Sequence, residues 1–183
     1  QYAGSSYDGN DLRDCEGGGA RDSHLYNCTV VMNRSAKHGG GIRGGTAFNT
    51  IVSHNSARLN TDPLNDNHYA VDAATFDHSC TWPAVEGWTE ENITNAPLFV
   101  ATGRLPEFES LQHYRQPYED GNYRVLTRSL TIDAGALRDW MLAPDDPRSL
   151  DLDGNRRVTP RLGPVDMGAY EDHTGAGMMI IVR

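Results

Sequence analysis

The side chains here that could do chemistry fall into three groups, and each group asks for a different reaction. Lys37, His38, Arg43 and His54 bring basic groups close together. A polysaccharide lyase needs such groups: a base beside the sugar C5, and a cation to neutralise the uronate. Asp62, Asp66, Asp72 and Asp77 gather carboxyl groups in one short stretch. A glycoside hydrolase works with two carboxyl groups a defined distance apart. Neither group has a diagnostic spacing, and scattered Asp is ordinary solvated surface. Lys37, His38, Asp62 and Asp66 therefore stand as catalytic candidates against an expectation that the chain is not an enzyme.

The third group is Asp151, Asp153 and Asn155, with Gly154 for a tight turn. Oxygen ligands at alternate positions resemble the start of a calcium loop, because hard cations want several carboxylate and carbonyl oxygens. The order departs from the EF-hand, since Gly154 precedes Asn155 and no Glu follows at the required spacing. The competing reading is a hydrogen-bonded turn whose carboxylates accept backbone N–H bonds and pair with Arg156 or Arg157. Calcium is the one cofactor for which the sequence offers a site.

Aromatic rings add a binding possibility. Trp82, Trp88, Tyr114 and Tyr118 could stack on sugar rings, since aromatic faces suit apolar C–H surfaces. Trp140 reads better as packing. Asn27-Cys28-Thr29, Asn33-Arg34-Ser35 and Asn92-Ile93-Thr94 match the glycosylation pattern, but a stacking role explains the first two better. Cys15, Cys28 and Cys80 are an odd number, with no spacing that suggests zinc or an iron–sulfur cluster. Their disulfide state stays open between one pair and buried free thiols.

The elements that position these groups are strands. Slid by 22 residues, the stretch from Cys15 to Arg58 matches itself. Gly17-Gly18-Gly19 falls on Gly39-Gly40-Gly41, Arg21 on Arg43, Asn27 on Asn49, Val30 on Val52 and Asn33 on Asn55. That is seven identities where average residue usage gives roughly one or two. A period in the twenties with glycine triplets and a β-branched core marks a solenoid. Asn33 and Asn55 read as corners, since Asn tolerates a left-handed backbone. Stacking in register would set Asn27 over Asn49 and Asn33 over Asn55, as amide ladders. His78-Ser79-Cys80-Thr81 follows Asn49-Thr50-Ile51-Val52 by 29 residues, which predicts a third coil with a longer loop. The architecture expected is all-β: a right-handed parallel β-helix of about three coils over residues 1–100, closed by an irregular, loop-rich C-terminal cap over 101–183. One helical turn is expected around Ala136 to Leu142.

Departures from the period are where a particular role would reside. They are the insertion from Leu59 to Thr75, the aromatic loop from Ala101 to Asp120 and the apolar run Met178-Met179-Ile180-Ile181-Val182. The loop reads as a lid over the apolar end of the coils. The apolar run reads as a closing strand or a docking strand. Val165-Asp166-Met167-Gly168-Ala169-Tyr170-Glu171 reads as structural, with Asp166 paired to an Arg and Tyr170 as a plug.

The bulk numbers agree with a thin-cored, turn-rich chain: 19 Gly, 38% apolar residues and a mean hydropathy of −0.58. The net charge of −9 argues against a nucleic-acid partner, which requires a basic face. No apolar run is long enough to cross a bilayer. Gln1 falls in mid-repeat, so the chain reads as a processed product or the C-terminal fragment of a longer protein.

In order, the motifs are Asn-Cys-Thr-Val, Gly-Gly-Gly-Ile, Asn-Thr-Ile-Val, Ser-Cys-Thr, Asn-Ile-Thr with Ala-Pro-Leu-Phe-Val, Asn-Tyr-Arg-Val-Leu, Ile-Asp-Ala-Gly, Asp-Leu-Asp-Gly-Asn-Arg-Arg and Val-Asp-Met-Gly-Ala-Tyr-Glu. From about Cys15 to Glu171 this order resembles the C-terminal part of bacterial choice-of-anchor Q domain proteins, which are right-handed parallel β-helices. The resemblance implies a secreted or surface-attached bacterial protein, extracellular in location. The function expected is a structural or adhesive module of a larger protein or assembly, whose partners are itself or neighbouring subunits. The alternative is a polysaccharide-binding or polysaccharide-cleaving β-helix.

Overall fold

A computed structural model describes residues 16–57, 63–69, 71, 74–104, 119–158 and 164–173. Its elements are almost all short strands, so the all-β expectation holds. The first four are β1 (Ala20–Arg21), β2 (His24–Tyr26), β3 (Thr29–Val31) and β4 (Arg34–Ser35). The next four are β5 (Ile42–Arg43), β6 (Thr46–Phe48), β7 (Ile51–Ser53) and β8 (Ser56–Ala57). Each member of the first set pairs in parallel with its equivalent in the second, Ala20 with Ile42 and Arg34 with Ser56. Parallel neighbours need a long connection. Here the other three strands of the repeat provide it.

A third set follows with a changed spacing. Ile42 pairs with His68, and Thr46 pairs with Thr75 at the start of β9 (Thr75–Asp77). The longer loop expected from the sequence is thus two insertions, one before His68 and one between His68 and Thr75. β10 (Cys80–Thr81) joins β7, and Ile93 extends that ladder past Cys80. Further on, β11 (Phe99–Ala101) and β12 (Asn122–Val125) form an antiparallel pair. The expected helical turn is α1 (Asp139–Leu142). Among the described residues no helix is long and apolar enough to cross a membrane.

The chain bends between strands at residues with positive φ, and these recur with the repeat. Asn27, Asn49 and His78 hold one such corner, at φ 48°, 46° and 47°. Met32 and His54 hold another, at 57° and 56°. The second corner corrects the sequence reading: the left-handed residue precedes Asn33 and Asn55. Those two asparagines do other work. Asn55 Oδ1 accepts from Asn33 N–H at 2.9 Å and Asn33 Nδ2 at 3.2 Å. Asn67 Oδ1 receives Asn55 in the same way, at 3.2 and 3.3 Å. The amide ladder at this position is therefore real and extends one rung further than the period suggested.

The expected Asn27–Asn49 ladder is replaced by one a residue later. Thr50 Oγ1 accepts from Cys28 N–H, Ser79 Oγ from Thr50 N–H, and Asn92 Oδ1 from Ser79 N–H, at 3.3, 3.0 and 2.9 Å. Each buried hydroxyl or amide thus satisfies a backbone donor on the rung before it. Asn49 turns its amide to the C-terminal segment instead.

Both faces of the central strands are buried. Successive side chains on a strand point opposite ways. On one side Leu25, Ala47 and Phe76 form a column beside Ala20 and Ile42, and Val30 and Val52. On the other, Phe48 packs with Met141, Val158 and Val165, and Ile51 with Cys80, Phe99 and Met167. Burial on both faces explains why the strand sequences do not alternate cleanly. Each large side chain so buried stabilises by about 2 kcal/mol.

The C-terminal segment is therefore a side cover over the outward residues of β6 and β7. The end of the inner column is closed instead by Val85 and Trp88, the Trp88 ring lying 5.9 Å from Phe76. Much of the loop from Ala101 to Asp120, and the apolar run from Met178 to Val182, lie outside the described residues.

Candidate functional site

The basic candidates sit where the chain turns from β4 into β5. Lys37 Nζ lies 3.5 Å from Glu16 Oε1, and Arg43 Nη1 bonds the other oxygen of the same carboxylate. His38 stacks on Tyr69 at 4.2 Å, the ring planes nearly parallel at 11°. Burial, then the Lys37 charge, holds the His38 imidazole below its usual pKa. His54 is elsewhere, beside Phe99 at 5.7 Å, with Nδ1 2.8 Å from Ser53 Oγ. The structure thus brings Lys37, His38 and Arg43 together and leaves His54 out.

Among the carboxylates, Asp66 Oδ1 accepts from Ala57 N–H at 2.8 Å, which ties the first insertion to β8. Asp77 binds His78 and Arg138. Asp62 and Asp72 lie outside the described residues, as do Tyr114, Tyr118 and Cys15. Trp82 is 49% exposed at the end of β10, and its carbonyl accepts from Asn67 Nδ2 at 2.9 Å. Trp88 is half-buried and packs against Phe76. Cys28 and Cys80 are free thiols. Burial raises both, Cys80 to about 12.

At the calcium candidate, the Asp151 carboxylate is filled by backbone donors. Oδ1 accepts from Asp153 N–H at 2.9 Å and Asn155 N–H at 2.8 Å, and Oδ2 from Glu171 N–H at 3.2 Å. Asp153 pairs with Arg124 through Nε at 2.8 Å and Nη2. This is the hydrogen-bonded turn, with Arg124 in the place that the sequence offered to Arg156 or Arg157. Among the described residues no group of three or more His, Cys, Asp or Glu side chains is placed to hold a metal ion.

Arg157 instead forms a buried pair with Glu171 at 2.9 Å, both side chains 5% exposed. Among the described residues Asp166 pairs with no Arg; it accepts from Asp133 and Asp172 N–H groups. Tyr170 lies under Arg124 at 4.6 Å. These contacts hold the cover in place.

A cluster that the sequence reading missed lies on the outward face of β2, β6 and β9. Tyr26 is 50% exposed and meets Trp140 edge-on at 6.4 Å. Arg138 lies over Phe48 at 4.1 Å and reaches Asp77 Oδ2 at 3.2 Å. His78 Nδ1 is 2.6 Å from Asp77 Oδ1. Arg148 lies over Trp140 at 5.0 Å and pairs with Asp146. The strand half of this cluster follows from the register of Tyr26, Phe48 and Asp77. The Arg138, Trp140 and Arg148 half carries no periodic signal.

No family model, curated protein or solved structure matches this chain.

Proposed function

We propose that the parallel ladders are coils of a right-handed parallel β-helix, about three in number. The chain would then be a non-catalytic structural or adhesive module of a bacterial surface, part of a larger protein or assembly. The observation that carries this reading is the shared register: four strand positions pair with the same offset, as a continuous winding demands. Right-handedness follows the near-universal hand of parallel crossovers. The resemblance to choice-of-anchor Q domain proteins supports the extracellular location.

The side chains favour scaffold over catalysis. Asn33, Asn55, Thr50, Ser79 and Asn92 are consumed by bonds between rungs. Lys37, His38 and Asp66 are each engaged in local packing. Among the described residues, β1 to β4 are paired along one edge only. A strand edge of that type recruits further strands, from the same protein or from a neighbour.

Size-exclusion chromatography with light scattering tests the assembly. Concentration-dependent self-association is expected, and a clean monomer at high concentration overturns it.

A further inference from the structure

Parallel strands repeat their outward side chains about every 4.8 Å. β2, β6 and β9 therefore display two rows across one face. His24, Thr46 and Thr75 make the first row, with His24 Nδ1 2.8 Å from Thr46 Oγ1 and both His24 and Thr75 exposed. Tyr26, Phe48 and Asp77 make the second, bordered by Trp140 and Arg138.

The combination is amphipathic at short range. A half-exposed phenol ring and an indole lie beside hydroxyl, imidazole, carboxylate and guanidinium groups. Sugars have the complementary pattern, apolar C–H faces rimmed by hydroxyls. Charge narrows the class further. Arg138 and Arg148 are matched by Asp77 and Asp146, so the face offers no unbalanced cation. The net charge of −9 repels polyanions.

We propose that this face, centred on Tyr26 and Asp77, binds a neutral polysaccharide. The inference gives the adhesive reading above a ligand class, and rests on that half of it alone. A monomer that binds glycan would remove self-assembly and keep the site. An assembly that ignores glycan would do the reverse.

The test is affinity electrophoresis of the full chain in native gels containing hydroxyethyl cellulose or galactomannan, with polygalacturonate as the anionic counterpart. Retardation by at least one neutral polymer is expected. Tyr26→Ala and Asp77→Ala should each weaken it about tenfold, the loss of roughly one good contact. Val100→Ala, an exposed side chain on β11 in a different sheet, should leave it unchanged. If thermal melting finds Tyr26→Ala or Asp77→Ala unfolded, the exposed His24→Ala and Thr75→Ala decide in their place. The site is wrong if no neutral polymer retards the protein, if polygalacturonate binds better, or if the folded variants bind like the parent.

Discussion

Asn49 and Ala136, 87 residues apart in the chain, exchange two hydrogen bonds of 2.8 Å, one in each direction. The same asparagine accepts at its backbone oxygen from Gly168 N–H at 2.7 Å. One fully buried residue thus holds two separate stretches of the cover against the stacked strands.

Asn49→Ala should cost about 3 kcal/mol, since it strains a left-handed corner and leaves two partly buried backbone groups of Ala136 unpaired. Asn27→Ala, at the equivalent corner without that contact, should cost about 1 kcal/mol. Urea unfolding of both variants measures the difference. Equal losses would mean that the side chain does not hold the cover.

Gly168 has φ +103°, and a Cβ there would meet Ile51 Cδ1 and Thr29 Oγ1, each at 2.9 Å. Gly168→Ala should therefore destabilise by about 2–4 kcal/mol and loosen the cover over Phe48 and Ile51. Increased binding of a hydrophobic dye under native conditions is the expected signature. An unchanged melting temperature would contradict the close approach.

His54 is exposed and left-handed at φ 56°. Asn tolerates that conformation better, so His54→Asn should stabilise by about 0.5–1 kcal/mol. The gain would appear in denaturation midpoints, and a loss would show that the Phe99 contact outweighs the strain.

Burial pushes the Glu171 carboxyl from 4.5 up to about 8, against the pull of Asp166 N–H and Arg157. Burial raises Asp166 as well. A raised folded-state pKa means that the native form binds the proton more tightly. Its contribution to stability is full below about pH 4.5 and is lost as pH rises through about 8. The protein should therefore melt higher near pH 5 than near pH 8.5. Glu171→Gln should flatten that profile, because Arg157 keeps the Gly168, Ala169 and Leu150 carbonyls as acceptors. A profile equally steep in the variant would place the titration elsewhere.

Millimolar Ca²⁺ should leave the melting midpoint unchanged, since backbone N–H groups and Arg124 already fill the Asp151 and Asp153 carboxylates. A rise with Ca²⁺ would show that the turn opens to bind the ion.

The sequence by itself determined the stacking. A 22-residue period carries the parallel register of four strand positions, the inward columns through Leu25 and Val30, and the Asn33–Asn55 ladder. Each of these is a contact between equivalent residues, and a repeated contact leaves a repeated residue. Even so, the period did not tell which neighbour is left-handed, so the corner fell on Asn33 rather than Met32. The tertiary structure alone decided everything that meets the stack from outside it. Asn49 abandons a ladder for Ala136, Trp88 plugs the inner column, and Arg124 takes Asp153. Trp140 and Arg138 complete the face around Tyr26. These are single contacts between distant, non-equivalent residues, and their energy comes from packing and from satisfying buried polar groups. Such contacts impose no spacing on the chain, so no pattern in the sequence announces them.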